Sequence, residues 1–147
     1  MPTPTMTPTE REVRALLDER SDAVWTKDLD RLMSFYSSDI VYFDIVPGLQ
    51  YVGSAALRPR FQEWFESFEG PIGQESGDLH ISASGDVAVA YMLIRASGTL
   101  KNGREVGYWV RVTSAARRSD GRWLISHEHV SLPVDVRSGT AVTDLVP

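Results

Sequence analysis

The stretch from residue 86 to residue 132, DVAVAYMLIRASGTLKNGREVGYWVRVTSAARRSDGRWLISHEHVSL, decides the fold. It contains three long runs of β-branched and aromatic residues, interrupted at Lys101-Asn102-Gly103 and at Ser119-Asp120-Gly121. Asn-Gly and Asp-Gly tolerate the positive φ angles of tight hairpin turns. An earlier run ends at Ser84-Gly85-Asp86. The pattern therefore predicts an antiparallel meander of four strands over residues 72–84, 86–100, 104–118 and 121–132.

The N-terminal half has helical periodicity instead. Apolar residues recur at helical spacing from Val13 to Val24, and we assign the helix start to a Thr9 cap followed by acidic residues. Asp28 caps a shorter second helix, and residues 39–44 form a first strand. A third helix opens at Gly53-Ser54 and presents one apolar face, made of Leu57, Phe61, Trp64, Phe65 and Phe68. Because Pro59 cannot donate a helical hydrogen bond, the regular part of this helix is expected to begin near residue 58.

This order of elements predicts an α+β fold in which three helices of the N-terminal half cover a curved antiparallel sheet, since no other part of the chain can cover it. A chain of 147 residues fits one domain with one core. We expect a disordered leader over residues 1–8, where Pro alternates with Thr or Met, a single domain over residues 9–133, and a loosely ordered tail over residues 134–147.

Composition excludes several classes of function. A formal net charge of −5 argues against nucleic acid as a partner, because binding phosphates needs a basic surface. No apolar run approaches the roughly 20 residues of a membrane span, and the N-terminus has no signal-peptide pattern. The chain contains no cysteine, which is consistent with a reducing compartment. We therefore expect a cytoplasmic protein that binds neither membrane nor nucleic acid.

The segment WLISHEHVSLP at residues 123–133, following these elements, resembles the nuclear transport factor 2-like superfamily. Within it, the SnoaL-like and ketosteroid isomerase-like bacterial proteins are the most similar. The spacing of Arg111, Thr113, Asp120-Gly121 and Trp123 also resembles the association domain of calcium/calmodulin-dependent kinases. The resemblance covers residues 9–133. It implies a cone-shaped (cystatin-like) roll with a pocket between the concave sheet face and the helices, and a homodimer.

For function, the resemblance implies a small-molecule-binding domain for a hydrophobic compound, polyketide-like or steroid-like. Members of the superfamily include cofactor-independent isomerases and cyclases, hydrolases and non-catalytic proteins, so the fold leaves the activity open. One expectation is acid/base chemistry on the bound molecule, without cofactor or metal. The alternative is a non-catalytic ligand-binding or homodimeric association module.

Asp44 is the most informative candidate catalytic residue. Strand alternation places Ile40, Tyr42 and Asp44 on one face. The resemblance implies that Asp44 is a general base and that Tyr42 lines the pocket, whereas the alternative is an Asp that caps the following turn. A ketosteroid isomerase also needs a Tyr and a protonated Asp that donate hydrogen bonds to the developing oxyanion. Their positions fall near Arg20 and Thr113 here, so faithful steroid isomerisation is not expected.

His127 and His129 are the other candidate catalytic residues. Simple alternation puts them on the face shared by Trp123, Ile125 and Ser131. If that face is concave, the two imidazoles enter the pocket and act as hydrogen-bond partners or as an acid and base near neutral pH. Two histidines and a carboxylate also form a conceivable metal site, although relatives with this motif mostly need no metal. A structural or dimer-interface role is the remaining alternative.

Trp109, Arg111 and Thr113 share a face of the neighbouring strand and are candidate ligand-binding residues. Arg111 would hold a ligand oxygen, or else form a structural ion pair. Trp64 and Tyr91, with Trp109, are candidates for an aromatic pocket wall, although each is as readily explained as ordinary core.

Overall fold

The computed structural model describes residues 5–147 and confirms the α+β order of elements. Three helices, α1 to α3, and eight strands, β1 to β8, follow one another along the chain. Their bounds are α1 Pro8–Trp25, α2 Leu29–Met33, β1 Tyr36–Phe43, β2 Tyr51–Val52, α3 Ser54–Glu66, β3 Phe68–Ser84, β4 Val87–Leu100, β5 Glu105–Ser119, β6 Arg122–Ser131, β7 Val134–Asp135 and β8 Thr140–Ala141.

Six strands form one curved sheet in the order β2-β1-β6-β5-β4-β3. The four long strands β3 to β6 form the expected antiparallel meander, while β1 pairs in parallel with β6. Asp120 and Gly121 have φ angles of 52° and 75°, as a tight hairpin turn requires. The turn chemistry of the sequence therefore predicts the strand connections correctly.

The helix boundaries correct two expectations. The N-cap of α1 is Thr7 rather than Thr9: Thr7 accepts from the Glu10 backbone N–H at 3.1 Å, and Glu10 bonds back to the Thr7 N–H. Pro8 then occupies the first helical position, where its missing N–H costs nothing. The helix α3 begins at Ser54 and continues through Pro59, so the proline does not delay its start.

The two ends of the chain differ from the middle. Of the expected leader, residues 1–4 lie outside the described residues, and Thr7 and Pro8 belong to the start of α1. Beyond residue 133, β7 and β8 form a separate two-stranded hairpin with mostly exposed side chains. Within residues 5–147, no helix has the length and apolar character needed to cross a membrane.

A β-bulge in β6 corrects the expected strand parity. Ile125 pairs with Ala116 and His127 pairs with Ala115, so Ser126 is an extra residue on β6. Before the bulge Trp123 and Ile125 are buried, and after it the buried residue is Glu128. The expectation that His127 and His129 share a face with Ile125 is wrong, because the extra residue reverses the alternation.

The helices lie on one face of the sheet, called here the inner face. Contacts from α1 reach β3 and β6, and contacts from α3 reach β1, β2 and β3. The core between these layers is apolar and includes fully buried Leu32, Ile40, Leu57, Ile94 and Ile125. The opposite, outer face of the sheet has no helix on it among the described residues, and it carries exposed side chains such as Tyr91 and Arg111.

Candidate functional site

A cavity of about 360 Å³ lies between the helices and the inner face of the sheet. Most of its wall is apolar. Helix residues in the wall include Val24, Leu32 and Phe61, and strand residues include Ile94, Val110 and Val112. Four charged side chains also line it, namely Arg20, Asp44, Arg60 and Glu63. The cavity has the size and the mixed lining typical of small-molecule sites.

A buried hydrogen-bonded cluster, Arg20, Tyr36, Ser114 and Glu128, joins α1 to three strands. Arg20 donates from Nη1 to Glu128 Oε1 at 3.2 Å, and the Tyr36 hydroxyl donates to the same oxygen at 2.7 Å. Ser114 donates to Glu128 Oε2 at 2.6 Å. The Glu128 side chain is 0% exposed and that of Arg20 is 5% exposed. Because a buried charge is tolerated only when it is paired, this cluster holds α1 in a fixed position on the sheet.

Burial and charge shift the acid–base properties of this cluster. Burial acts to lower the pKa of Arg20, but the Glu128 carboxylate and the two nearby tyrosines outweigh it and raise that pKa above its ordinary value. Burial, followed by the charge of Glu128, raises the pKa of Tyr36 and of Tyr42 well above the usual range. Arg20 therefore stays cationic and both phenols stay protonated near neutral pH.

A second ion pair lies on the cavity wall where β1 ends. Arg60 on α3 donates from Nε to Asp44 Oδ2 at 3.0 Å, and the backbone N–H of Ile45 donates to Asp44 Oδ1 at 2.7 Å. The side chains are 14% and 9% exposed for Arg60 and Asp44. Burial and then the charge of Asp44 raise the pKa of the nearby Tyr108. The charge of Arg60 acts in the opposite direction and offsets part of this increase. The Asp44 carboxylate thus has a partner on each oxygen.

The cavity wall retains unused hydrogen-bonding capacity. A guanidinium has five N–H donors, and the hydrogen bond from Nη1 to Glu128 uses one of those on Arg20. Within residues 5–147, Arg20 Nε and Gln74 Oε1 are buried atoms without a hydrogen-bond partner, and both residues line the cavity. Buried polar atoms are nearly always satisfied, so these two atoms are exceptions next to the cavity wall.

Three of the sequence-predicted site residues line this cavity: Asp44, Tyr42 and Trp64. Tyr42 pairs across the sheet with Glu128, and its ring meets that of Phe61 edge-on at 5.4 Å. Trp64 contacts the other side of Phe61 at 5.9 Å between ring centroids. The structure therefore brings the predicted carboxylate together with part of the predicted aromatic wall.

His127 and His129 lie on the outer face, away from the cavity. Both imidazoles contact the ring of Phe43 edge-on, at 4.8 and 5.3 Å between ring centroids, and His127 Nδ1 is 2.7 Å from the backbone oxygen of Val41. Asp44 faces the cavity instead, so the conceivable metal triad does not form. Within residues 5–147, no group of three or more His, Cys, Asp or Glu residues is placed to hold a metal ion.

Trp109, Arg111, Thr113 and Tyr91 also lie outside the cavity. The intervening residues on β5, Val110 and Val112, point inward and line it, so alternation turns their neighbours to the outer face. Arg111 donates from Nε to Ser131 Oγ at 3.0 Å, a neutral partner in place of the ion pair that was the alternative expectation. The predicted sharing of one face by these residues is correct, but the face is the opposite one.

Sequence reasoning missed four charged residues at the site: Arg20, Arg60 and Glu63 in the cavity wall, and Glu128 behind Arg20. Arg20 had a detectable signal, because Leu16, Leu17, Ala23 and Val24 lie three or four positions from it and place it on the apolar side of α1. Glu128 had none, because the bulge at Ser126 determines its orientation and the sequence does not reveal the bulge. Arg60 follows Pro59, and the sequence predicts only that it belongs to the third helix.

Comparisons with known proteins agree with this architecture. Residues 13–135 match the family of SnoaL-like domains. A nuclear transport factor 2-like protein of unknown function from Pseudomonas putida KT2440 shares 31% identity, with a TM-score of 0.88 over 98% of this chain and 100% of that one. No curated protein matches the sequence significantly.

Two further solved structures share the fold at lower identity. A proposed dehydratase of the nuclear transport factor 2-like family from Streptomyces avermitilis is 17% identical, with a TM-score of 0.76 over 85% of this chain and 97% of that one. A proposed association domain of a calcium/calmodulin-dependent protein kinase II from Xanthomonas campestris is 23% identical, with a TM-score of 0.75 over 86% and 91%. With its sheet, covering helices and matched residues, this chain belongs to the SnoaL-like domain family of the nuclear transport factor 2-like superfamily.

Proposed function

We propose that this domain binds a small, largely apolar molecule in the cavity between its helices and the inner face of the sheet. The single observation that carries the proposal is the cavity of about 360 Å³, with an apolar wall and a few converging polar side chains. The guanidinium of Arg20 lines the cavity and donates one hydrogen bond to Glu128, so its other N–H groups provide an anchor for one polar atom of the molecule. Apolar contacts with residues such as Phe61 and Trp64 would supply most of the affinity.

A thermal-shift screen with a matched pair of variants tests this proposal. Ala96 lines the cavity, so Ala96→Trp would fill it, whereas Thr113→Trp adds the same bulk to an exposed outer-face position. A ligand at 100 times its Kd should stabilise the wild-type protein and Thr113→Trp by about 2.7 kcal/mol. Ala96→Trp should show little response. Equal stabilisation of all three proteins would place binding elsewhere and contradict the proposal.

Proton transfer on the bound molecule is a second candidate function, supported by the Asp44 carboxylate on the cavity wall. A dehydratase or isomerase needs such a proton acceptor, and the Streptomyces avermitilis neighbour is a proposed dehydratase. The hydrogen bond from the Ile45 N–H supports the alternative, in which Asp44 caps the turn. His127 and His129 do not enter this proposal, because they do not line the cavity.

Substitution Asp44→Asn separates the two roles of this residue. If Asp44 accepts a proton, turnover of a substrate found by the screen should fall by at least about 100-fold in the folded variant, in addition to any stability lost with the Arg60 pair. If Asp44 only caps the turn and pairs with Arg60, the substitution should lower stability and leave turnover nearly unchanged.

We also propose that the outer face pairs with a second copy of the chain. This face exposes apolar side chains on β4, Val89 (40% exposed) and Tyr91 (51% exposed), and it carries the half-buried Phe43 on β1, with β5 and β6 between them. Light scattering should give the mass of a dimer for the wild-type protein, and Tyr91→Glu should shift it towards the monomer. A wild-type protein that is monomeric at high micromolar concentration would contradict this pairing.

A further inference from the structure

Three of the four charged side chains that line the cavity already belong to ion pairs. Arg20 pairs with Glu128 at 3.2 Å, and Arg60 pairs with Asp44 at 3.0 Å. The remaining charged residue of the wall, Glu63, is exposed to solvent. A molecule that enters this cavity therefore meets two neutralised ion pairs rather than a net charge. Any charge it brings loses its water without gaining a free counter-ion.

Arg20 and Glu128 stand in different positions relative to that molecule. Arg20 lines the cavity and has N–H donors to spare, whereas Glu128 does not line it and lies behind Arg20 and Tyr36. Glu128 thus acts on a ligand only through the cation that it neutralises. A neutral oxygen, such as a carbonyl, can accept from the spare donors of Arg20 without disturbing the pair.

A carboxylate on the ligand would face a different balance. It would compete with Glu128 for one guanidinium, and two carboxylates around a single cation would leave an excess negative charge in a buried place. Withdrawing Arg20 from Glu128 is equally unfavourable, because it would leave Glu128, fully buried, without its counter-ion.

We infer that Glu128 is a specificity-determining residue that makes the cavity select a neutral, oxygen-bearing apolar molecule over an anionic one, by neutralising Arg20 from behind. The inference rests on the proposed binding function and deepens it. A residue that does not touch the ligand thereby determines whether the cavity prefers a neutral or an anionic molecule.

Glu128→Gln is the substitution that tests this inference with least disturbance. The amide oxygen can still accept from Arg20 and from the Tyr36 hydroxyl. The amide NH₂ can donate to the Ser114 hydroxyl, which accepts as readily as it donates. Every hydrogen bond of the cluster therefore has a counterpart in the variant, and only the negative charge is removed.

The experiment compares two molecules with the same bicyclic skeleton, 2-acetylnaphthalene as the neutral ketone and 2-naphthoate as the anion, by calorimetric titration at pH 7.5. The wild-type protein should bind the ketone at least ten times more tightly than the carboxylate. In Glu128→Gln, Arg20 becomes an unbalanced cation, so carboxylate affinity should rise at least tenfold while ketone affinity changes less than threefold. Glu75→Gln removes one negative charge from an exposed position that does not line the cavity and should leave both affinities unchanged.

Each outcome decides something. A wild-type preference for the carboxylate, an unchanged ratio in Glu128→Gln, or the same change in Glu75→Gln would overturn the role of Glu128. If neither molecule binds any of the three proteins and the ligand screen is also empty, the binding function itself fails. Should Glu128→Gln not fold, the double variant Arg20→Met/Glu128→Leu replaces the pair by apolar residues. It should lose at least tenfold in ketone affinity and keep weak carboxylate binding, and retained ketone affinity would overturn the anchoring by Arg20.

Discussion

The two faces of the same sheet differ in what they do with polar residues. On the inner face, Glu128 is fully buried and accepts hydrogen bonds from Arg20, Tyr36 and Ser114. On the outer face, the three histidines of the chain lie among exposed side chains: His127 and His129 beside Phe43, and His80 stacked on Tyr91 at 4.9 Å. The buried charges Arg20 and Glu128 of the inner face are fixed by pairing, whereas exposed side chains of the outer face such as Tyr91 are accessible to solvent or a partner.

One residue separates these two environments. Ser126 is the extra residue of the bulge in β6, and if Ser126 were instead paired in regular alternation, Glu128 and His129 would exchange faces. The chemistry of the cavity therefore depends on the register of β6 as much as on which residues are present. Variants of each face can test what keeps its side chains on that face. The first prediction concerns the register of β6.

Deletion of Ser126 together with His127 should have the largest effect. Removing both residues leaves Ile125 directly followed by Glu128, so regular alternation turns Glu128 to the outer face and Arg20 loses its counter-ion. We expect loss of the cooperative unfolding transition, measured by circular dichroism during urea titration.

Deletion of Ser126 alone is the matched control. It removes only the extra residue, and alternation from Ile125 through His127 keeps Glu128 on the inner face, so this variant should remain folded. A double deletion that unfolds as cooperatively as the wild-type protein would show that the register of β6 does not determine the faces.

The second prediction compares one arginine from each face. Arg20→Ala leaves Glu128 buried without its cation and should lower the free energy of unfolding by about 3–5 kcal/mol. Arg111→Ala removes an exposed side chain bonded to Ser131 and should change it by about 0.5 kcal/mol or less. Urea denaturation of both variants measures the difference. Similar losses for the two would contradict the contrast between the faces.

The smallest effect concerns the buried phenols at high pH. The pKa values of Tyr36 and Tyr42 are raised in the folded state, so these groups stay protonated after the same tyrosines in the unfolded chain have ionised at about pH 10. Their contribution to stability is therefore complete below pH 10 and is lost as pH rises above it. Tyr36→Phe removes one of these groups, as well as a hydrogen bond worth about 1–3 kcal/mol.

Urea denaturation between pH 8 and pH 11 measures this contribution, with absorbance at 295 nm reporting tyrosine ionisation. The free energy of unfolding of the wild-type protein should fall above pH 10, and that of Tyr36→Phe should start lower and fall less steeply. Full ionisation of all five tyrosines in the folded protein would contradict the burial of these phenols.

Local signals in the sequence were sufficient for most of the fold. Turn pairs such as Asp120-Gly121 and a cap such as Asp28 act over a few residues, so their effect is visible in the sequence itself. Two features depend on distant contacts and could not be predicted: the short strand β2 and the parallel pairing of β1 with β6. The start of α3 was misplaced because packing against the sheet outweighs the hydrogen bond lost at Pro59.

The site was less predictable than the fold. Alternation along β1 placed Tyr42 and Asp44 correctly on one face, because no irregularity lies between them. The alternation expected along β6 does not continue past the bulge, so the predicted face of His127 and His129 was wrong. On β5 the residues expected to share a face do share one, but alternation gave no information on which face the helices cover. Which face carries the helices is a property of the whole assembly, so periodicity in one strand cannot reveal it.

The position of β6 has a consequence for synthesis of the protein. This strand is the last one of the six-stranded sheet to leave the ribosome, yet it lies between β1 and β5, and it pairs Tyr42 with Glu128 across 86 residues of sequence. Helices and the first hairpins can form while translation continues, but the sheet cannot join its two halves until β6 emerges. The nascent chain must therefore carry α1 with an unmatched arginine for most of its elongation, and the cavity closes only in the final step.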